Sequence, residues 1–189
     1  TFYIGLEPKE YVGRTGQEQG VNVLTVDIHG QPAPSRDVQL IYYEHKWYSV
    51  REQADNGRFY WTSKVQNRPV FTESVRTDSD GYATSHFTPS KGGMYKLTAK
   101  GLDEFENEIH SATYLWVSDQ RYISWRMEDN DRIELVADKD SYDPGETATI
   151  LIPSPYQGEV EALLTIERGH IISHQRLTLE SNSEQVEIP

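Results

Sequence analysis

Apolar residues along this chain fall mostly on alternate positions, in short runs separated by turn residues. Leu24, Val26 and Ile28 share one phase, as do Val38, Leu40 and Tyr42, and again Tyr95, Leu97 and Ala99. A period of two marks strands with one buried face, and no segment sustains the 3.6 period of an amphipathic helix. The pattern predicts strands at 2–7, 21–29, 37–43, 58–64, 70–76, 82–88, 94–100 and 109–117. Val21 and Val23 lie out of phase with Leu24, which predicts a bulge between them. Pro8 stops the first strand, and Gly30-Gln31-Pro32-Ala33-Pro34 turns the second. Asp55-Asn56-Gly57 fits a hairpin turn that needs positive φ. Thr77-Asp78-Ser79-Asp80-Gly81 and the stretch 89–93 supply further turns. So many short strands before Ser118, with turns at this interval, predict an antiparallel β-sandwich of immunoglobulin or fibronectin-III type.

The alternation lapses from Ser118 to Arg132 and returns at Ile133. Strands are predicted near 147–152, 160–168, 171–179 and 185–188, too few for a second full sandwich. The expected organisation is a complete unit over 1–119, a connection over 120–132 and a partial second unit over 133–189. Tyr122, Ile123 and Trp125 within the connection predict that it packs against the units. The chain starts at Thr1 on a strand-like segment, and it is read here as a piece of a longer polypeptide.

Asp138 to Gly169 is the most distinctive stretch. Tyr142-Asp143-Pro144-Gly145-Glu146 is a turn in which Pro sets φ for the first half and Gly takes positive φ in the second. Tyr142 is expected to pack across the following strand. Pro153-Ser154-Pro155 breaks that strand, because two residues without N–H cannot sit inside a ladder. The wording of this stretch resembles the opening of the bait-region domain of bacterial alpha-2-macroglobulins: acidic-Lys at Asp138-Lys139, then Tyr-x-Pro-Gly-Glu-x-Ala, Ser154-Pro155-Tyr156 and Leu163-Leu164-Thr165-x-Glu167-Arg168. The Ser-x-x-Val-x-Ile-Pro ending at Ser183 to Pro189 belongs with it. The first unit is similar to the macroglobulin-like domain that precedes it, through Thr77-Asp78-x-x-Gly81-Tyr82-Ala83 and Gly93-x-Tyr95-x-Leu97. The resemblance implies two macroglobulin-like units within a broad-spectrum endopeptidase inhibitor. In that family a protease cuts an exposed bait segment and is enclosed as the domains rearrange. Many members also hold a Cys–Gln thioester, and this chain contains no Cys. The implied partners are proteases, met through the full-length protein, and neighbouring macroglobulin-like domains of the same chain. The implied location is extracytoplasmic.

Composition narrows the alternatives. A net charge of −12 disfavours nucleic acid and anionic membrane surfaces as partners. The excess is uneven: 12 basic against 16 acidic residues through Asp119, and 6 against 14 afterwards. No apolar run reaches transmembrane length.

Candidate chemistry is sparse. Asp78-Ser79-Asp80-Gly81 looks like the start of a calcium loop, but the chain continues into a strand, and the residues also make an ordinary β-turn. Glu128-Asp129-Asn130-Asp131 reads as a solvated linker. His170 and His174 are four apart, which on a strand is too far for one metal. No nucleophile, phosphate-loop or dinucleotide motif occurs. The expectation is therefore no catalytic, metal or cofactor residue, and no enzyme. The aromatics Tyr42, Tyr43, Trp47, Tyr48, Phe59, Tyr60 and Trp61 split between strand faces, some to the core and the rest to a domain contact. A carbohydrate platform is the lesser reading. A stacked immunoglobulin-like surface adhesin or stalk is the main alternative to the protease trap, since it would carry the same strands and acidity.

Overall fold

The computed structural model describes residues 1–53, 59–125 and 132–189, with the side chains of 49–53 and 59–63 outside that description. Every regular element among the described residues is a strand. β1 (Tyr3–Pro8), β3 (Gln19–Val26) and β6 (Tyr82–Phe87) make one antiparallel sheet in the order β1-β3-β6. β2 (Val12–Arg14), β4 (Asp37–Gln53), β5 (Phe59–Arg76), β7 (Gly93–Leu102) and β8 (Glu108–Ser118) make a second, in the order β2-β8-β7-β4-β5. The two sheets face each other over Phe2, Ile4, Val21 and Val23 on one side and Val38, Leu40, Tyr42, Leu97, Ala99, Leu115 and Val117 on the other. Tyr42 sits at the middle of this core. Its ring stacks on Phe87 at 4.5 Å between centroids, and its hydroxyl lies 2.8 Å from Ser85 Oγ. Ser85 donates onward to Glu73 Oε2 at 2.6 Å, so the Tyr42 hydroxyl donates to Ser85 and the buried polar chain is satisfied. Burial pushes the Tyr42 phenol up to about 12, and it stays neutral.

The sandwich follows the alternation, with the following differences. The buried phase of β3 is Val21, Val23 and Thr25, while Leu24 is 42% and Ile28 61% exposed. β3 pairs regularly with both neighbours, so the expected bulge is absent. Thr25 can occupy a core position because its hydroxyl donates to Ala33 O at 2.7 Å, which removes the penalty of a buried polar group. The strand ends at Val26, where Asp27 Oδ1 accepts from His29 N and Gln31 N and turns the chain.

The strands expected at 58–64 and 70–76 are one strand, β5, paired with a β4 much longer than expected. Pro69 is tolerated because β5 is an edge strand, and a register shift opposite Tyr42 and Tyr43 takes up the irregularity there. The turn expected at Asp55-Asn56-Gly57 lies outside the described residues. Finally, β2 pairs in parallel with β8, so the sheet is not purely antiparallel. At three residues β2 is too short to show alternation.

After the connection come β9 (Val136–Ala137), β10 (Ala148–Pro153), β11 (Val160–Glu167), β12 (Ile171–Leu179) and β13 (Ser183–Ile188). β13-β10-β9 form a three-stranded sheet, and β11 pairs only with β12 among the described strands. β10 ends at Pro153, where the Pro-Ser-Pro sequence places its stop. Gly145 has φ +93, as the turn requires. The Tyr142 hydroxyl donates to Asp138 Oδ1 at 2.5 Å, an oxygen that also accepts from Thr149 N of β10 at 2.8 Å. Lys139 and Glu146 close the same turn at 2.9 Å, and Glu146 accepts from Asp143 N.

Two glycines give a graded test. A Cβ on Gly145 would meet nothing within 4 Å, so Gly145→Ala carries only the strain of positive φ, roughly 1 kcal/mol. A Cβ on Gly81 (φ +73) would lie 2.3 Å from the backbone oxygen of Thr25. Gly81→Ala therefore combines strain with a clash against the backbone of β3. Urea denaturation should show Gly81→Ala costing clearly more than Gly145→Ala; equal losses would contradict this reading of both turns.

Candidate functional site: the joint between the two units

Ile123 and Trp125 are buried without a strand ladder, so their polar groups need other partners, and the joint is built around that need. After β8 the chain passes Asp119, then Ile123 and Trp125, both under a tenth exposed. These two side chains close a small apolar core with Val12 of β2 and Leu151 of β10, flanked by Trp116 of β8 and Val136 of β9. The cluster draws on both units and on the segment joining them. The exposed Tyr122 takes no part.

Asn182, just before β13 and 4% exposed, satisfies the backbone of the connection. Its Oδ1 accepts from Ile123 N at 2.9 Å, and its Nδ2 donates to Ile123 O at 2.7 Å and to Ser154 O at 3.3 Å. Its backbone oxygen accepts from the Trp125 indole N–H at 2.7 Å and from Ser154 N at 3.0 Å. One residue thus fixes both aromatic and aliphatic anchors and the end of β10.

Around this clamp lies a polar collar. Ser183 Oγ donates to Asp119 O at 2.6 Å and accepts from Asp119 N at 3.0 Å. Gln185 Nε2 donates to Gly13 O at 3.0 Å and to Ser118 Oγ at 2.8 Å, while its Oε1 accepts from Arg14 Nε at 2.9 Å. On the far side Tyr11 N donates to Asp138 O at 2.9 Å. The Asp119 carboxylate, 9% exposed, receives the Arg121 guanidinium at 2.7 and 3.1 Å, the Thr15 hydroxyl at 2.9 Å and Gly92 N at 3.2 Å. The Arg121 hydrogen bonds, more than any other contact, hold its pKa well below the usual carboxylate range.

The residues weighed for chemistry do not assemble. Asp78 Oδ1 accepts from Asp80 N and Tyr82 N at 2.9 Å each, the bonding of an ordinary turn. His170 lies in the exposed turn after β11 and His174 on the exposed β12. Among the described residues no three His, Asp or Glu side chains are grouped to hold a metal. Glu128-Asp129-Asn130-Asp131 and the side chains of Phe59, Tyr60 and Trp61 lie outside the described residues. Among the described aromatics, Tyr42 is in the core and Tyr48 is exposed, so these two share no surface.

Sequence reading missed Asn182, Gln185 and Asp119, whose partners lie far away along the chain. Two hints existed. Ser154 and Ser183 belong to the quoted motifs, and both prove to be joint residues.

A family model for the bacterial macroglobulin domain 6 matches residues 5–112, and one for the alpha-2-macroglobulin bait region domain matches 133–189. An alpha-2-macroglobulin homolog of Nostoc sp. is 24% identical over 185 residues, covering 97% of this chain and 9% of that protein. One from Yersinia pestis is 22% identical over 181 residues, covering 95% of this chain and likewise 9% of its own length. This chain therefore spans a small part of the curated relatives it matches. Among solved structures, the native conformation of E. coli alpha-2-macroglobulin aligns over 98% of this chain and 12% of that one, with TM-score 0.53 and 15% identity. Salmonella alpha-2-macroglobulin reacted with methylamine aligns over 100% and 12%, with TM-score 0.51 and 15% identity. These likenesses support the fold.

Two outcomes test the joint. Asn182→Ala leaves the buried N–H of Ile123 without a partner and its C=O with only the Trp125 N–H, and should cost about 1–3 kcal/mol by denaturant unfolding; a loss under about 0.5 kcal/mol would mean that the clamp is dispensable. The second concerns acid. Because the native pKa of Asp119 is depressed, its contribution to stability is complete above the unfolded value near 4 and is lost as pH falls through and below it. The stability difference between wild type and Asp119→Asn should be constant from about pH 7 to 5 and shrink at lower pH. A difference that grows on acidification would contradict the assignment.

Proposed function

Since this chain belongs to the bacterial alpha-2-macroglobulin family, we propose that it is a non-catalytic scaffold segment of an endopeptidase-trapping protein. In this reading residues 1–119 are a macroglobulin-like unit, 120–132 a connection, and 133–189 the opening part of the bait-region domain. The segment's task is to hold the mount of the bait at a fixed place on its neighbour. Its partners are proteases, engaged by the full-length protein, and adjacent macroglobulin-like domains. Its place is extracytoplasmic, in the periplasm or at the cell surface. No cofactor enters the reading.

The observation that carries it is the joint. Two successive family segments share one apolar core through Ile123, Trp125, Val12 and Leu151, closed by Asn182. A module whose work is positional needs a defined orientation between its units more than it needs a reactive group. The residues of the acidic-Lys and Tyr-x-Pro-Gly-Glu motifs also serve folding: Lys139, Tyr142 and Glu146 staple their own turn.

The test uses the full-length protein and this chain in parallel. Each is incubated with a trypsin-like and a chymotrypsin-like protease, and cleavage of a small chromogenic peptide and of a large protein substrate is followed. Full-length protein should suppress cleavage of the large substrate and spare the small one, while this chain alone changes neither. Protection by this chain alone, or hydrolysis of a substrate by it, would overturn the reading.

A further inference from the structure

We infer that the two units form one rigid lever, and that the joint between them stays closed while the surrounding protein rearranges. The inference rests on the proposed trap function for its occasion, but its physical basis is the joint itself. Three features carry it.

The first is redundancy. A hinge about the single covalent connection would have to break contacts at separate points: Tyr11 N to Asp138 O, Gln185 to Gly13 and Ser118, and Ser183 to Asp119. These attachments are spread across the joint, so rotation about any one axis strains the others.

The second is burial. Ile123, Trp125, Val12 and Leu151 are each under a tenth exposed, and opening would bring them into water together with the Ile123 backbone groups now held by Asn182. Packed interfaces of this kind switch between discrete arrangements and do not bend continuously. Here a second arrangement would need a new partner for each of these groups.

The third is the connecting sequence. Between Asp119 and Trp125 there is no glycine or proline, the residues on which flexible or extended linkers rely. Asp119 also anchors the segment's first turn, through Arg121, to Thr15 and Gly92 of the first unit.

The test places bio-orthogonal spin labels at Ser74 and Glu187, exposed strand positions on the two units, in the full-length protein. Pulsed electron resonance then gives the distance distribution before and after complete proteolytic cleavage of the bait. A narrow distribution whose mean and width survive cleavage is expected. A shifted or broadened distribution after cleavage would overturn the rigid lever. Should the full-length protein give no protection against large substrates, the trap reading fails, and the uncut distribution still decides rigidity: narrow supports it, and broad overturns it. Asn182→Ala should broaden the distribution in the uncut protein, and an unchanged width in that variant would remove Asn182 from the account.

Discussion

Burying Ile123 and Trp125, which belong to no sheet, is the constraint on which this structure depends. Backbone N–H and C=O groups removed from water need partners, and an unpaired one costs about as much as a lost hydrogen bond. Strands meet that need through their ladders. The segment around Ile123 has no ladder, and the side-chain amide of Asn182 takes its place, with an acceptor for one Ile123 group and a donor for the other. An amide suits this position because it carries both functions without charge. Once that pair is made, Ile123 and Trp125 can be buried, and full burial of such side chains is worth about 1.5–3 kcal/mol each. The apolar core of the joint thus depends on one polar residue.

The same logic appears on a smaller scale elsewhere. Thr25 holds a core position because its hydroxyl finds Ala33 O, and Tyr42 because its hydroxyl feeds a chain through Ser85 to Glu73. Asp138 is 7% exposed yet serves Tyr142 and Thr149 with one carboxylate oxygen, while its backbone oxygen serves Tyr11. In each case a buried polar atom fixes geometry that apolar packing alone leaves loose.

These cases also explain what the sequence made legible. Alternation located nearly every strand, since one buried face per strand imposes a period of two, and Pro-Gly and Pro-Ser-Pro marked their turns correctly. Alternation misjudged the inner face of β3, because Thr25 is polar in composition and buried in fact. It divided β5 at Pro69, because edge-strand status is a property of the sheet and not of the residue. It could not show β2, which is three residues long, nor its parallel partner more than a hundred residues away. The joint was half visible: Ile123 and Trp125 signalled packing, but Asn182, Gln185 and Asp119 look like ordinary surface polar residues until the fold brings them together. The residues that close the joint pair across long stretches of chain, and such pairing is a long-range property.

The central claim is that Ile123 and Trp125 are as much a part of the folded core as the strands on either side of them. Native-state hydrogen exchange measures this directly at the Ile123 amide and the Trp125 indole N–H. Both should exchange as slowly as the amides of β10 and β13, through the same cooperative opening. Exchange at the rate of an exposed loop, while those strands stay protected, would contradict it.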